Sequence, residues 1–302
     1  MYTSNDSSID LENPAASLRR EIERIHRLST KFCIFRVPNR LRSSNEKFYT
    51  PRIVSIGPLH HDTECFKAME FYKRKCLKDF LERTKVSLEV FVEFIRKKES
   101  KLRAYYAENI ALSSHDFVKM ILVDASFIFE VLFGGFFGKG PIDDRVYNKP
   151  WLLMDVMNDL FVLENQLPFF ILEDLLSLAN IEIDHERVSM IKITHKFSCE
   201  YWDICKIENL DEEHYSKVGH FVDFVRIRAL PSNLNVRKDS KYTTIPKKTT
   251  TSSVIKLRQA GVKLKIRTSK NLFNIRFSNG KLEIPLIRIR IHRSFVKKCF
   301  CF

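Results

Sequence analysis

Five carboxylates lie in or beside the most apolar stretch of this sequence and are its first candidates for acid–base chemistry. Residues 151–178 carry them as Asp155, Asp159, Glu164, Glu173 and Asp174. A carboxylate can serve as a general acid or base when burial or a neighbouring charge moves its pKa towards neutrality. At this spacing we expect most of them on helix surfaces or at helix caps, where carboxylates are common. The series therefore indicates structural roles, and no catalytic residue is predicted.

The glycine-rich segment GGFFGKG at residues 134–140 resembles a phosphate-binding loop but lacks its spacing. Only three residues separate Gly134 from Gly138, and Gly140 stands where such a loop carries Ser or Thr. The segment also follows a predicted helix, whereas a phosphate-binding loop follows a strand. These departures argue against nucleotide binding.

His60 and His61, close to Asp62 and Glu64, are the only local pattern that suggests a metal centre. Adjacent histidines point in different directions, and no second pair follows at helical spacing. We expect a turn after Gly57 whose polar side chains cap the next helix. The seven cysteines show no CxxC spacing and no local pairing with a histidine, so neither a metal nor a cofactor is predicted.

The net charge of +14 is concentrated at the C-terminal end. Residues 226–302 contain 20 Lys and Arg against 2 acids, whereas the rest of the chain has 31 basic and 35 acidic residues. Such a segment could contact phosphates or an anionic surface. Sparse aromatic residues make nucleic acid the weaker alternative, and the final CFCF fits a prenylation motif only formally. The candidate contacts are Arg288, Arg290, Arg293, Lys297 and Lys298.

The apolar stretch itself predicts two core helices joined by a polar elbow, defined here as residues 164–168. Apolar residues recur at three- and four-residue steps on both sides of Glu164, Asn165 and Gln166, and Pro168 prevents a continuous helix. Buried polar groups need hydrogen-bond partners. We therefore expect Glu164 and Gln166 to bind backbone groups of adjacent segments and to form a structural signature with Asn165 and Pro168.

Eight glycines and 25 phenylalanines predict a mainly helical, ring-filled core. We expect a disordered N-terminus (1–13), a multi-helix globular bundle (14–231) that includes a short extended segment (29–63), a mobile linker (232–252) and a basic appendage (253–302). The appendage contains a short helix ending at Gly261 and a β-hairpin that turns at Asn279-Gly280. Charges at Lys119, Asp124 and Glu130 favour a buried helix over a membrane span at 117–137.

Several separated segments resemble, in order, the plant-specific domain of unknown function 247 family, over roughly residues 17–290. They are CIFRVP, RLR, YTPRIVSIGPLHH, MEFYKRKCLKDFL, DFVKMILVDASFIFEVLF, DLFVLENQLPFFILEDLL, HFVDFVRIRALPS, LRQAGVKLK and FSNGKLEIP. Chance agreement does not explain so many separated segments in one order.

The resemblance implies a non-enzymatic plant protein of unassigned biochemistry, usually associated with the plasma membrane, that acts as a protein–protein interaction or signalling module. An unknown protein partner is expected, with binding of an anionic membrane or nucleic acid through the cationic tail as the alternative. Family members continue to a C-terminal transmembrane segment, whereas this sequence stops at Phe302. We expect a shortened product or gene-model artefact, cytoplasmic if it lacks the anchor.

Overall fold

Helices dominate the computed structural model, as the sequence predicts. It describes residues 33–43, 46–137, 149–183, 189–201, 217–229, 253–267 and 275–285, together with residues 15, 19, 146, 186 and 187. The α-helices of these ranges are α1 (Asn39–Arg42), α2 (Lys67–Thr84), α3 (Leu88–Arg103), α4 (Ser114–Phe137), α5 (Pro150–Leu160), α6 (Phe169–Ala179), α7 (Met190–Tyr201), α8 (Phe221–Ala229) and α9 (Val254–Gln259). Short 3-10 helices lie at Glu46–Phe48, Pro58–His60 and Glu64–Phe66.

Helix α4 lies at the centre of the core and packs against α2, α3 and α7. It begins with a side-chain cap, because the Ser113 hydroxyl accepts the Asp116 N–H at 3.1 Å and donates to the Asp116 carboxylate at 2.7 Å. Every side chain from Phe117 to Phe133 except Lys119 is buried. The helix runs through Phe137, so the loop predicted from residue 134 begins too early; residues 138–145 lie outside the described part.

Helix α4 buries two carboxylates, and α2 supplies a cation for each. Lys73 donates to Asp124 deep in the core, where both side chains are 1% exposed. Burial alone would lower the pKa of Lys73, but the Asp124 and Glu70 carboxylates raise it, so the ammonium keeps its charge. Arg83 forms two hydrogen bonds with Glu130, at 3.2 and 2.8 Å. These pairs allow an all-round buried helix to carry charge.

The phenylalanine-rich core is continuous from α2 to α8, as the composition predicts. Phe80 of α2 stacks on Phe129 of α4 with ring centroids 5.1 Å apart. At the other end, Phe169 of α6 meets Phe221 of α8 edge-on at 5.7 Å. Such ring pairs add to the free energy of apolar burial. None of the described helices combines the length and apolar character that crossing a bilayer requires.

The C-terminal part contains a three-stranded sheet where the sequence predicted only a hairpin. Earlier in the chain, between α6 and α7, strands β1 (Glu182–Ile183) and β2 (Glu186–Arg187) form a separate short antiparallel pair. Further along, β4 (Arg276–Ser278) and β5 (Lys281–Pro285) form the predicted hairpin around Asn279-Gly280, and β3 (Lys263–Arg267) pairs in parallel with β5. The hairpin prediction omitted β3 because a parallel partner distant in sequence leaves no turn signal.

Several predicted segments lie outside the described residues. They are the N-terminus 1–13, most of the beginning of the predicted bundle at 14–32, the linker 232–252 and the basic end 286–302. Ala15 and Arg19, the two described residues of 14–32, are helical. Helix α9 ends just before Gly261, as predicted.

Replacing Lys73 with Met should strongly destabilise the fold. The change leaves the Asp124 carboxylate buried without its cation, a loss that costs about 3–5 kcal/mol of unfolding free energy. Urea unfolding followed by circular dichroism measures it. As a matched control, Lys78→Met on the same helix removes an ammonium that is 75% exposed and should change stability by less than about 0.5 kcal/mol. Equal midpoints for the two variants would contradict the role of the buried pair.

Candidate functional site

The N-terminal segment at residues 33–57 is extended apart from α1 and the 3-10 helix at Glu46–Phe48. It lies against the elbow, and the two together form the candidate site. Near its start the segment makes a bridge between Ile34 and Tyr106, with the Ala107 N–H donating to the Ile34 carbonyl at 2.9 Å. Further along, many of its backbone groups are satisfied by side chains. Buried N–H and C=O groups need such partners, and here the elbow and its flanks supply most of them.

Glu164 is fully buried and is contacted by three parts of the N-terminal region. Its carboxylate accepts the Val37 N–H at 2.9 Å and the Arg42 guanidinium at 2.6 Å. The imidazole Nε2 of His60 lies 3.2 Å from the second oxygen. Burial alone would raise the pKa of Glu164, but these donors outweigh burial and lower it. The carboxylate is therefore ionised at neutral pH and fixes the path of residues 37–60.

Asp159 and Asn165 bind the next part of the same segment. The Asp159 carboxylate, 0% exposed, accepts the N–H groups of Arg52, Ile53 and Val54 at 2.7–3.0 Å. The Asn165 amide accepts one backbone N–H and donates to the Val54 carbonyl at 3.0 Å. These side chains make the hydrogen bonds to the segment's backbone that a neighbouring strand would make in a sheet.

Gln166 and Pro168 close the elbow on its other side. The Gln166 amide donates to the Leu160 and Val162 carbonyls, both at 2.7 Å, and accepts the Phe221 N–H at 3.0 Å. It thereby provides hydrogen-bond partners for backbone groups at the end of α5 and at the start of α8. Pro168, with φ of −58° and ψ of 132°, caps α6 and fixes the change in chain direction. Glu164 and Gln166 thus have the backbone partners that the sequence analysis expects.

Gly57 occupies the point where the segment comes closest to the elbow. Its φ is +72°, and a Cβ there would lie 2.5 Å from the Gln166 carbonyl oxygen. The Gly57 N–H donates to Asp124 at 2.7 Å, and the Tyr106 hydroxyl donates to the Gln166 carbonyl at 3.0 Å. Only glycine combines this conformation with this approach. Gly57 connects the elbow to the buried ion pair of α4.

The acidic series divides into surface and buried members. Asp155 pairs with Arg52 at 3.1 Å, Asp174 pairs with Lys98 at 2.9 Å, and Glu173 accepts the Met190 N–H at the start of α7. These three have the surface and capping roles predicted. Asp159 and Glu164 instead lie in the core. For Glu164 this agrees with the elbow prediction, whereas for Asp159 it differs from the surface or capping role expected for most of the series. Sequence periodicity could not reveal this because their partners are about 100 residues away in the chain.

The histidine pair separates in the structure. His60 is buried against Glu164, while the His61 imidazole lies 3.4 Å from the Asp62 carboxylate. The turn is present, but side chains do not cap the next helix: the Thr63 hydroxyl donates to the His60 carbonyl instead. Across the described ranges, no group of three or more His, Cys, Asp or Glu side chains is arranged to hold a metal.

The candidate anionic-surface contacts Arg288, Arg290, Arg293, Lys297 and Lys298 lie outside the described residues. Sequence reasoning missed the partners of the elbow on the N-terminal segment, above all Arg42 and Gly57. The Gly57-Pro58 pair was a usable signal for a special backbone position. The family motif and the predicted turn include Gly57 and Pro58, but neither indicates that Gly57 lies against the elbow.

Replacing Glu164 with Ala should lower the unfolding free energy by about 2–4 kcal/mol, because the Val37 N–H, His60 and Arg42 lose a buried acceptor. Urea unfolding measures the loss. Asp155→Ala is the matched control: it removes a neighbouring carboxylate whose partner Arg52 is 44% exposed, and should cost about 0–1 kcal/mol. An unchanged urea midpoint for Glu164→Ala would refute the structural role of the elbow.

Glu164 should also make the fold sensitive to acid. Because its folded pKa is lowered, its stabilising contribution is complete above the ordinary value of 4.5 and disappears as pH falls through the folded pKa. The difference in unfolding free energy between the natural chain and Glu164→Gln should therefore be largest near neutrality and narrow below pH 4.5. Denaturant titrations across this pH range test the expectation. Parallel stability curves would show that Glu164 does not titrate differently on folding.

Comparison with known proteins places this arrangement in a family. The family model DUF247, described as "Plant protein of unknown function", matches residues 34–296, which include the elbow and the sheet. The UPF0481 protein At3g47200 of Arabidopsis thaliana is 30% identical over 300 residues, covering 89% of this chain and 60% of that protein. The putative UPF0481 protein At3g02645 of the same plant is 30% identical over 167 residues, covering 53% of this chain and 30% of that protein.

The chain thus spans less than two thirds of the length of these relatives. No solved structure matches it. The match over residues 34–296 covers the N-terminal segment, the elbow, the core helices and the C-terminal sheet in one piece. The chain therefore belongs to the DUF247 family of plant proteins of unknown function.

Proposed function

We propose that this chain is a non-enzymatic interaction module that binds an acidic partner protein through the C-terminal sheet. The observation that carries the proposal is the exposed apolar face of strands β3–β5. Asp159 and Glu164 are the buried candidates for acid–base chemistry. Their carboxylates already accept hydrogen bonds from backbone amides and a guanidinium. Their contacts support a structural role for the elbow.

Strand register aligns six apolar side chains on one face of the sheet. Leu264, Leu282 and Phe277 form one row across the three strands, because Leu282 is the partner of both of the others. Ile266 and Ile284 are partners in the next row. Ile275 comes two residues before Phe277, so strand alternation places it on the same face. Four of these side chains are largely exposed: Leu264 40%, Ile266 71%, Ile275 55% and Phe277 65%. A contiguous apolar patch of this kind is typical of a protein interaction surface.

The charges around this face determine which kind of partner fits it. The described residues of 253–285 carry seven Lys and Arg and one acid, Glu283. Alternation places the basic residues of β3 on the opposite face from Leu264 and Ile266 and along the rim. A partner with apolar anchors and an acidic border complements both features, since opposite charges steer association and fix orientation. An anionic membrane and a second copy of this chain are the competing occupants.

Ile266→Ser with Phe277→Ser tests the proposal. Truncating central anchors of an interface should weaken binding about tenfold or more. The full chain is cross-linked in plant extract, the captured protein is identified and purified, and its binding to each variant is measured by calorimetry at two salt concentrations. We expect an acidic partner, loss of affinity in the double variant and weaker binding in high salt. Trp151→Ser, which removes another exposed aromatic residue (62% exposed), should leave affinity unchanged.

Three results would overturn the proposal. A concentration-dependent dimer in ultracentrifugation that the double variant abolishes would identify a second copy as the occupant. Binding to phosphatidylserine vesicles that depends on Ile266 and Phe277 would identify a lipid surface. A purified partner that binds the natural chain and the double variant equally would show that the face is not the docking surface.

A further inference from the structure

A thiol, an imidazole and a buried guanidinium meet between α7 and α8, away from both the elbow and the sheet. His195 and Cys199 lie one turn apart on α7, with 3.7 Å between Nδ1 and the sulfur. Arg228 of α8 reaches across, and its Nη2 lies 3.3 Å from the Cys199 sulfur and 3.2 Å from His195 Nε2. The sequence around His195 and Cys199 does not mark them as a functional pair, because Arg228, which contacts both, lies 29 positions after Cys199.

Arg228 is the unusual member of this group. It is 5% exposed, its Nε has no hydrogen-bond partner, and among the described residues no carboxylate forms an ion pair with it. Its remaining contact is a hydrogen bond from Nη1 to the Ser198 hydroxyl at 3.1 Å. A guanidinium stays protonated even when buried, so it needs negative charge nearby. Among the described residues, no negative charge offsets the guanidinium while its neighbours are neutral.

The donor and acceptor roles of Arg228 and His195 determine which hydrogen bonds the Cys199 sulfur accepts. A guanidinium can only donate, so Nε2 of His195 accepts from Arg228 and the neutral ring carries its proton on Nδ1. Burial and Arg228 lower the pKa of His195 to about 4, which keeps the ring neutral at physiological pH. Both Nδ1–H and the guanidinium therefore point donors at the sulfur. Two donors, one of them cationic, suit a sulfur that carries negative charge.

We infer that Cys199 is a peroxide-sensitive modification site whose sulfenate is held by Arg228. The sulfur anion attacks one oxygen of hydrogen peroxide, the S–O bond forms as the O–O bond breaks, and the departing hydroxide takes a solvent proton to become water. Sulfur loses two electrons and peroxide gains them. The product is a sulfenic acid, whose anion supplies a negative charge that no described carboxylate gives the guanidinium. Cys199 is half-buried and reduced, so a small oxidant can reach it.

A metal centre is the weaker assignment for the same residues. A thiolate and an imidazole at this helical spacing can hold zinc, but the guanidinium within 3.3 Å of both would repel a cation. Cys33 provides the contrast within the chain. It is also half-buried, but burial and the Asp223 carboxylate raise its pKa to about 12, which keeps it a thiol. The environment of Cys199 differs in the sign of the neighbouring charge.

Sulfenic acid trapping tests this inference on the folded full chain. The protein is exposed to dilute hydrogen peroxide with dimedone, and labelling of each cysteine peptide is followed by mass spectrometry. Because Arg228 and the His195 Nδ1–H donate to its sulfur, Cys199 should be labelled about tenfold faster than the exposed Cys65 and far faster than Cys33. Arg228→Met should reduce labelling of Cys199 about tenfold without changing that of Cys65.

The comparison within the natural chain keeps the inference testable even if Arg228→Met does not fold. Labelling of Cys199 no faster than that of Cys65 would overturn it, as would a folded Arg228→Met variant that is labelled at the natural rate. Tight binding of zinc by the reduced natural chain, lost in Cys199→Ser and in His195→Gln, would also overturn it in favour of a metal site.

Discussion

The structure depends on the way an extended segment satisfies its backbone without a sheet. At Val37, at residues 52–54 and at Ile56 the N–H groups turn towards the protein interior, where an unpaired N–H costs free energy. Carboxylate and amide side chains of the elbow and its flanks accept those N–H groups. The segment is consequently held along its length by side chains that come from more than 100 positions later in the sequence. Helix packing and the polar elbow are parts of one arrangement.

The buried charges of helix α4 are also stabilised by partners from other parts of the chain. A helix buried on all sides should carry no ionised group, yet Asp124 and Glu130 are both in the core. Each is tolerated because α2 places a cation beside it and because Asp124 also accepts the Gly57 N–H. The Asp124 carboxylate thereby joins the extended segment to the helical core. Buried ion pairs contribute little net stability, but loss of one partner is costly, so such a pair favours one specific packing.

The C-terminal sheet contrasts with this closed interior. Its strands expose Ile266 and Phe277 on one face, whereas nearly all large apolar side chains of the central helix are buried. The elbow carboxylates are engaged in structural contacts, and the cluster of Cys199, His195 and Arg228 lies apart from both regions. Structural constraint, partner binding and oxidation would thus belong to three separate parts of the chain.

The sequence by itself determined the helical class, the elbow and the hairpin. Apolar spacing of three and four residues, Pro168 and Asn279-Gly280 are local signals, and local signals report local backbone geometry. The Ser113 cap and the end of α9 before Gly261 were predictable for the same reason. The elbow residues were identified as needing buried partners because polar groups interrupt an apolar run. Only the identity of those partners was missing.

Tertiary structure alone decided the partners. Arg42 reaches Glu164 across 122 residues, Lys73 reaches Asp124 across 51, and β3 joins β5 in a parallel pairing that no turn announces. Whether a carboxylate lies on a surface or in the core depends on a segment that periodicity does not relate to it, which is why Asp159 was misplaced. The meeting of Arg228 with Cys199 has the same origin. Charge and hydrogen-bond complementarity act through space, and a single sequence records them only as separate residues.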